Sequence, residues 1–274
     1  MRRLRIRDKL LRVRDEPEPS PDPGKGPAPL FCIHGAGMSS VSWMEVVKRL
    51  PPARRVVALD LPGHGQSERW PEQPSIAGYR DAVEAVCREL KLQRIVLVGQ
   101  SMGGAVALAY ALAWPEKVAG LVLVNSAARL KVADASLAML EQVLPSEASS
   151  QTGQVWVDRM PPELAEVCFS PATSSDLRQR WQAMLMSAER QVILGDFLAC
   201  RSFDVRDQLA ELRTPTLILG GSDDLLVPPK ILADTAQRIA GAQLQLLEGT
   251  GHLSHIEQPE LFFQKLTAFL HTLN

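Results

Sequence analysis

The stretch IVLVGQSMGGAVALAYALA (residues 95–113) decides the fold. Residues 95–98 are uniformly apolar, as a strand buried on both faces requires, and from Met102 the composition turns alanine-rich and helical. The junction reads Gly99-Gln100-Ser101-Met102-Gly103, a G-x-S-x-G pattern. A serine at so sharp a strand-to-helix turn has a strained backbone, and glycines two residues to either side let neighbouring chain pass close by. The hydroxyl is thereby exposed at the carboxyl edge of the sheet. The helix that starts at Met102 aims free backbone N–H groups and the positive end of its dipole at the same spot. G-x-S-x-G alone occurs often by chance; between this strand and this helix it is a specific signal.

The same rhythm extends outward. PLFCI (29–33) and VVALD (56–60) read as strands, with Trp43, Val46, Val47 and Leu50 at helical spacing between them. A helix is predicted over 76–90, burying Tyr79, Val83, Val86 and Leu90. Trp114-Pro115 ends the helix after Ser101, and VAGLVLVN (118–125) is the next strand. TPTLILGG (214–221), a helix over 229–240, AQLQLLEG (242–249) and a helix over 258–272 complete the pattern. It predicts an α/β fold with a mostly parallel central sheet of about eight strands, covered by helices on both faces. Leu4, Ile6, Leu11 and Val13 alternate with charges and predict an antiparallel hairpin at the sheet edge. The proline-rich run from Glu16 to Pro29 reads as an exposed loop. Between about 127 and 204 the rhythm breaks: Met139, Leu140, Val143 and Leu144, then Trp181, Met184 and Leu185, are spaced helically and no strand is predicted. The expected organisation is a core of 1–126 and 205–274 with a helical cap inserted over 127–204.

Composition excludes several classes. The 274 residues carry a formal charge of −1, which gives no electrostatic reason to expect nucleic acid as a partner. No apolar run reaches the 18 residues a membrane span needs. The basic N-terminus lacks the apolar stretch of a secretory signal, and Cys32, Cys87, Cys168 and Cys200 form no CxxC pair. A cytoplasmic protein is the expectation, with neither a metal site nor a disulfide framework.

A serine needs a base to become nucleophilic. Of the five histidines, His252 stands in the glycine-rich loop Gly249-Thr250-Gly251-His252 just after the strand QLQLLE, where it can reach Ser101. His255 forms an HxxH spacing with His252, but no third ligand cluster accompanies it, and it is expected to pack near the catalytic loop. His34 is expected to hold its loop, and His271 to lie on the surface of the last helix. The base in turn needs an acid, and the strand TLILGG runs into Asp223 and Asp224, either of which could serve. The end of the strand at 118–125 offers only Asn125, an amide. The oxyanion donors are expected to be the N–H of Met102 and, from the loop His34-Gly35-Ala36-Gly37, the N–H of Ala36. Gly35, Val227 and Leu253 are expected to bind substrate. The chemistry requires no cofactor.

With FCIHGAGMSS, VVALDLPGHGQS, VLVGQSMGGAVALAYA, LILGGSDDLLVPP and GTGHLSHIEQPELF, the chain resembles the α/β-hydrolase superfamily, in its branch of small serine esterases and related hydrolases with a helical cap. The resemblance implies the order Ser…Asp…His and puts the acid at Asp224, the D of D-x-x-V-P. It implies that the DLPGHGQS segment shapes the wall of the site. Haloalkane dehalogenases and epoxide hydrolases of this fold use an aspartate nucleophile, against Ser101 here. Meta-cleavage product hydrolases, which cut carbon–carbon bonds, usually carry tryptophan after the catalytic histidine, against Leu253. Proline iminopeptidase-like members typically carry tryptophan after the serine, against Met102. The expected activity is therefore cleavage of small-molecule carboxylic esters through a Ser101–His252–Asp224 triad. Carbon–carbon or enol-lactone hydrolysis is the alternative within the fold, and a small-molecule receptor with a retained triad the alternative outside catalysis. The cap carries Met139, Met160, Met184 and Met186 with Trp156, Trp181 and Phe197, an apolar roof suited to acyl groups. Arg178, Arg180, Arg190 and Arg201 read as solvated charges on amphipathic helices.

Overall fold

In the computed structural model, residues 1–16, 26–50, 54–146 and 155–273 are described. The apolar runs pair side by side as parallel strands: β3 (Leu30–Ile33), β4 (Val56–Leu59), β5 (Ile95–Gln100), β6 (Val118–Val124), β9 (Thr216–Gly221) and β10 (Gln243–Leu247). The hairpin β1 (Arg2–Ile6) and β2 (Lys9–Glu16) adds to β4 antiparallel, giving the order β1-β2-β4-β3-β5-β6-β9-β10. Most of the proline-rich segment predicted as a loop falls outside the described residues.

Side-chain alternation sorts the strands into two layers. Phe31, Ile33, Val57, Leu59, Ile95 and Leu97 face α2 (Ile76–Glu89), α3 (Met102–Ala113) and α8 (Pro229–Arg238). Leu30, Cys32, Val56, Ala58, Val96 and Val98 face α1 (Met44–Arg49) and α9 (Pro259–His271). With helices on both faces, β3 to β6 are wholly buried, which is why they read as unbroken apolar runs. The hairpin, half in water, keeps its alternation: Leu4, Ile6, Leu11 and Val13 are the buried positions. Among the described residues no helix is long and apolar enough to cross a membrane.

Between β6 and β9 lie α4 (Asp134–Val143), α5 (Pro162–Cys168), α6 (Ser175–Leu185) and α7 (Arg190–Ser202). They enclose a separate apolar cluster that also takes in Met38, Leu253 and Ile256 from core loops. The expectation of no strand here is corrected: β7 (Trp156–Val157) and β8 (Ala188–Glu189) form an antiparallel ribbon. Two-residue strands are too short to show alternation, so the pattern could not reveal them.

One ion cluster holds the hairpin to the sheet. The buried carboxylate of Asp15 in β2 accepts from Arg55 at 2.7 and 2.9 Å and from Arg2 at 2.6 Å. Burial pushes its pKa up, but the two guanidiniums outweigh that and hold it below the usual carboxylate range. A group with a depressed folded pKa contributes stability above its unfolded value, about 3.9, and loses it as pH falls through the folded value. The thermal midpoint of Asp15→Asn should therefore lie below that of the wild type at pH 7, and the two should converge in acid below the carboxylate range. Parallel melting curves down to pH 2 would contradict this.

Candidate active site

The chain leaves β3 toward β4 on one side and returns to β5 on the other, so the loops at the carboxyl ends of β3 and β5 diverge and leave a crevice. The residues singled out in the sequence gather there.

Ser101 follows β5 with φ 51° and ψ −118°, a left-handed backbone that strains any side chain. Main-chain bonds hold it: its N–H donates to Val124 O at 2.9 Å, and its carbonyl accepts from Ser126 Oγ at 2.7 Å. Close packing dictates the flanking glycines. A Cβ on Gly99 would lie 2.2 Å from Gly103 O, and one on Gly103 would lie 2.2 Å from Ile33 O.

His252 stands in the loop after β10, its Nδ1 2.9 and 3.1 Å from the oxygens of Asp224. With Nδ1 donating to the carboxylate, the neutral ring keeps Nε2 as its acceptor. Asp224 is itself fixed: Oδ1 accepts from the amides of Leu226 and Val227, each at 2.9 Å, and Oδ2 from Asn125 Nδ2 at 2.9 Å. Burial raises its pKa, but His252 and these donors prevail and lower it. Asp223 turns away to the hydroxyls of Ser170 (2.6 Å) and Ser222 (2.9 Å). Of the two aspartates the sequence offered, Asp224 is thus the one on His252. Ser101 and His252 border one cavity, and no direct hydrogen bond joins their side chains among the described residues. Such looseness is common before substrate binds.

That cavity, of about 90 Å³, is lined by Ala36, Val227 and Leu253 from the core and by Met160, Met186 and Phe197 from the segment after β6. Met102 follows Ser101 as the first residue of α3, where a helix has no internal partner for its N–H. Gly35, expected to bind substrate, does not border the cavity: it is buried against the side chain of Gln100, whose Oε1 a Cβ would meet at 2.2 Å. Trp156 and Met184 are exposed and form no part of the roof. None of Arg178, Arg180, Arg190 or Arg201 lines the cavity, whereas Lys131 does.

His34 holds its loop, with Nδ1 on Gly35 O at 2.8 Å and Nε2 accepting from Leu61 N at 3.1 Å. That pairing fixes the neutral tautomer, and burial lowers the pKa to about 4. His64, 4.8 Å away ring to ring, has acceptors on both sides: Pro62 O at 3.2 Å and Asp196 Oδ2 at 2.7 Å. Burial depresses its pKa, but Asp196 more than offsets this and raises it above the usual imidazole value. His255 packs on Trp43 (4.7 Å) and Phe262 (5.8 Å). The backbone of Ser42 approaches it, yet among the described residues neither ring nitrogen has a hydrogen-bond partner of normal geometry.

Three residues that sequence reasoning passed over also shape the site. Asn125, dismissed as an acid, bridges Asp224 to Gly251 O (3.0 Å) and accepts from Ser254 Oγ (2.6 Å). Glu257 accepts from the amides of Gly251 (2.9 Å) and Leu253 (3.3 Å), on either side of His252. Asp196, on α7, accepts from His64, Tyr79 and the amide of Gly37.

Comparison with known proteins places these features in context. A model of the alpha/beta hydrolase fold matches residues 28–259. Over 247 residues the chain is 29% identical to a pimeloyl-[acyl-carrier protein] methyl ester esterase of Vibrio vulnificus, covering 88% of this chain and 93% of that one. Over 263 residues it is 30% identical to a 2-hydroxy-6-oxo-2,4-heptadienoate hydrolase of Pseudomonas putida, covering 88% of each. A thermophilic esterase from Thermogutta terrifontis superposes with a TM-score of 0.79 at 26% identity, over 97% of this chain and 94% of that one.

Proposed function

Because the chain belongs to the α/β-hydrolase fold family, we propose that it is a serine hydrolase of carboxylic esters, acting through an acyl-enzyme on Ser101. The observation that carries this reading is His252, held by buried Asp224 and bordering one cavity with a strained, glycine-flanked serine. His252 Nε2 takes the Ser101 proton as Oγ attacks the ester carbonyl, and the N–H groups of Ala36 and Met102 hold the oxyanion. The imidazolium, stabilised by Asp224, then protonates the leaving alcohol. Water, activated by the same ring, releases the acid. The named esterases among the relatives support an ester over other bonds. Four free, buried cysteines suit a reducing cytoplasm.

The segment 127–204 acts as a cap, and its methionines and phenylalanine give the acyl group an apolar seat. At about 90 Å³ the cavity is small beside the roughly 300–1,000 Å³ of drug-sized pockets, which favours a short acyl chain. The Pseudomonas putida relative supports a second reading, carbon–carbon hydrolysis on the same triad. Leu253 speaks against it, standing where such enzymes usually carry tryptophan. Hydrolysis of p-nitrophenyl acetate, butyrate, octanoate and dodecanoate tests the proposal, with an enol-diketone run alongside. Multiple turnovers with kcat/KM highest for the short esters are expected. No turnover on any ester would overturn the ester reading, and cleavage of the diketone alone would establish the second.

A further inference from the structure

Asp196 is a charged side chain with no exposed surface, and it stands on α7, the helix that lines the cavity with Phe197 and Cys200. Burying a carboxylate is costly unless every oxygen is engaged. Here Oδ1 accepts from the Tyr79 hydroxyl, and Oδ2 accepts from His64 Nε2 at 2.7 Å and from the Gly37 amide at 2.9 Å. A roof that served only to cover the cavity would need apolar contact alone, as the rest of this cluster supplies. A carboxylate aimed at a main-chain N–H is directional.

Gly37 is where the oxyanion loop meets the cap. Its φ is +67°, and a Cβ there would strike Met186 Cε at 2.7 Å. Both of its peptide groups are held from the cap side, since its carbonyl also accepts from Ser187 N at 3.0 Å. The Gly37 N–H shares one rigid peptide plane with the carbonyl of Ala36. Fixing that plane narrows the orientation open to the preceding peptide, which carries the Ala36 N–H. The same cluster grips the other end of the loop, because His64 packs at a tilt against His34, whose Nδ1 donates to Gly35 O.

We propose that Asp196 is a positioning residue, which through Gly37 sets the oxyanion loop so that the Ala36 N–H points at the developing charge only when α7 is seated. This rests on the ester-hydrolase reading. Two arms of one experiment keep the two apart. In the first, p-nitrophenyl butyrate kinetics are normalised to active sites titrated with a fluorophosphonate. Asp196→Ala should lower kcat per titrated site by about 10²-fold, the scale of a roughly 1 Å misplacement, with KM nearly unchanged. Asp196→Asn, which keeps an acceptor for Gly37, should recover most of the loss and serves if the alanine variant does not fold. Inhibition by a trifluoromethyl ketone should weaken in step with kcat, whereas inhibition by the product acid should not. A purely structural role would lower the titratable fraction and leave kcat per site intact, which overturns the proposal.

In the second arm, hydrogen exchange of the 34–38 segment needs no turnover. Faster exchange at Gly37 in Asp196→Ala, with exchange near the wild-type rate in Asp196→Asn, is expected, and unchanged exchange in Asp196→Ala would overturn the proposal even if the wild type cleaves no ester. A wild type that fails on every ester defeats the functional reading alone.

Discussion

Ser101→Ala is expected to lower ester turnover by about 10⁶-fold, the loss that follows removal of the nucleophile from an acting triad. The substitution deletes the one atom that forms the acyl bond and leaves the elbow as it is. Its backbone is held by bonds from Ser101 N to Val124 O and from Ser126 Oγ to Ser101 O, and neither uses the side chain. Alanine already pays the same backbone strain that serine does at φ 51°. The thermal midpoint should accordingly hold, and the variant should still bind the product acid. A folded variant that retains turnover would remove Ser101 from the mechanism.

Asp224→Asn is expected to cost about 10⁴-fold in kcat, with KM little changed. The carboxylate is acceptor-only, and four donors converge on it: Leu226 N, Val227 N, Asn125 Nδ2 and His252 Nδ1. An amide can satisfy only part of that set. With its oxygen toward the two main-chain amides, its NH₂ faces both the NH₂ of Asn125 and the ring nitrogen. His252 must then turn Nδ1 into an acceptor, which moves the proton to Nε2 and leaves nothing to take the Ser101 proton. The developing imidazolium also loses its counter-charge. Asp223→Asn is the internal control, since among the described residues that carboxylate bonds Ser170 and Ser222 and not His252. Equal losses in the two variants, or none in Asp224→Asn, would contradict the assignment of the acid.

The sheet was legible because its inner strands are buried on both faces, so Leu30–Ile33, Val56–Leu59 and Ile95–Val98 are unbroken apolar runs. Ser101 and Asp224 were legible for a related reason, each standing in the short turn that follows such a run, and His252 from the glycine-rich loop after the half-exposed β10; a parallel sheet brings those turns to one edge. What supports them was not. Asn125 reaches Asp224 across 99 residues of sequence, and Asp196 reaches His64 across 132. No local periodicity encodes contacts so distant. Asn125 was read for the charge it lacks, although an amide there can donate to the acid and accept from Ser254 at once. Gly35 was read as a substrate contact from its loop, yet Gln100 fills the space beside it. In the cap, helical spacing located an apolar face but not the cavity: Trp181 is buried in the packing while Trp156 and Met184 face water.

The most direct test of the central claim is to mix the enzyme with excess p-nitrophenyl butyrate, quench it in acid during turnover, and map its peptides by mass spectrometry. A butyryl group on the peptide containing Ser101, absent from Ser101→Ala, is the expected result. Steady turnover with the acyl group on another residue, or no turnover and no label, would contradict a nucleophilic serine at the end of β5.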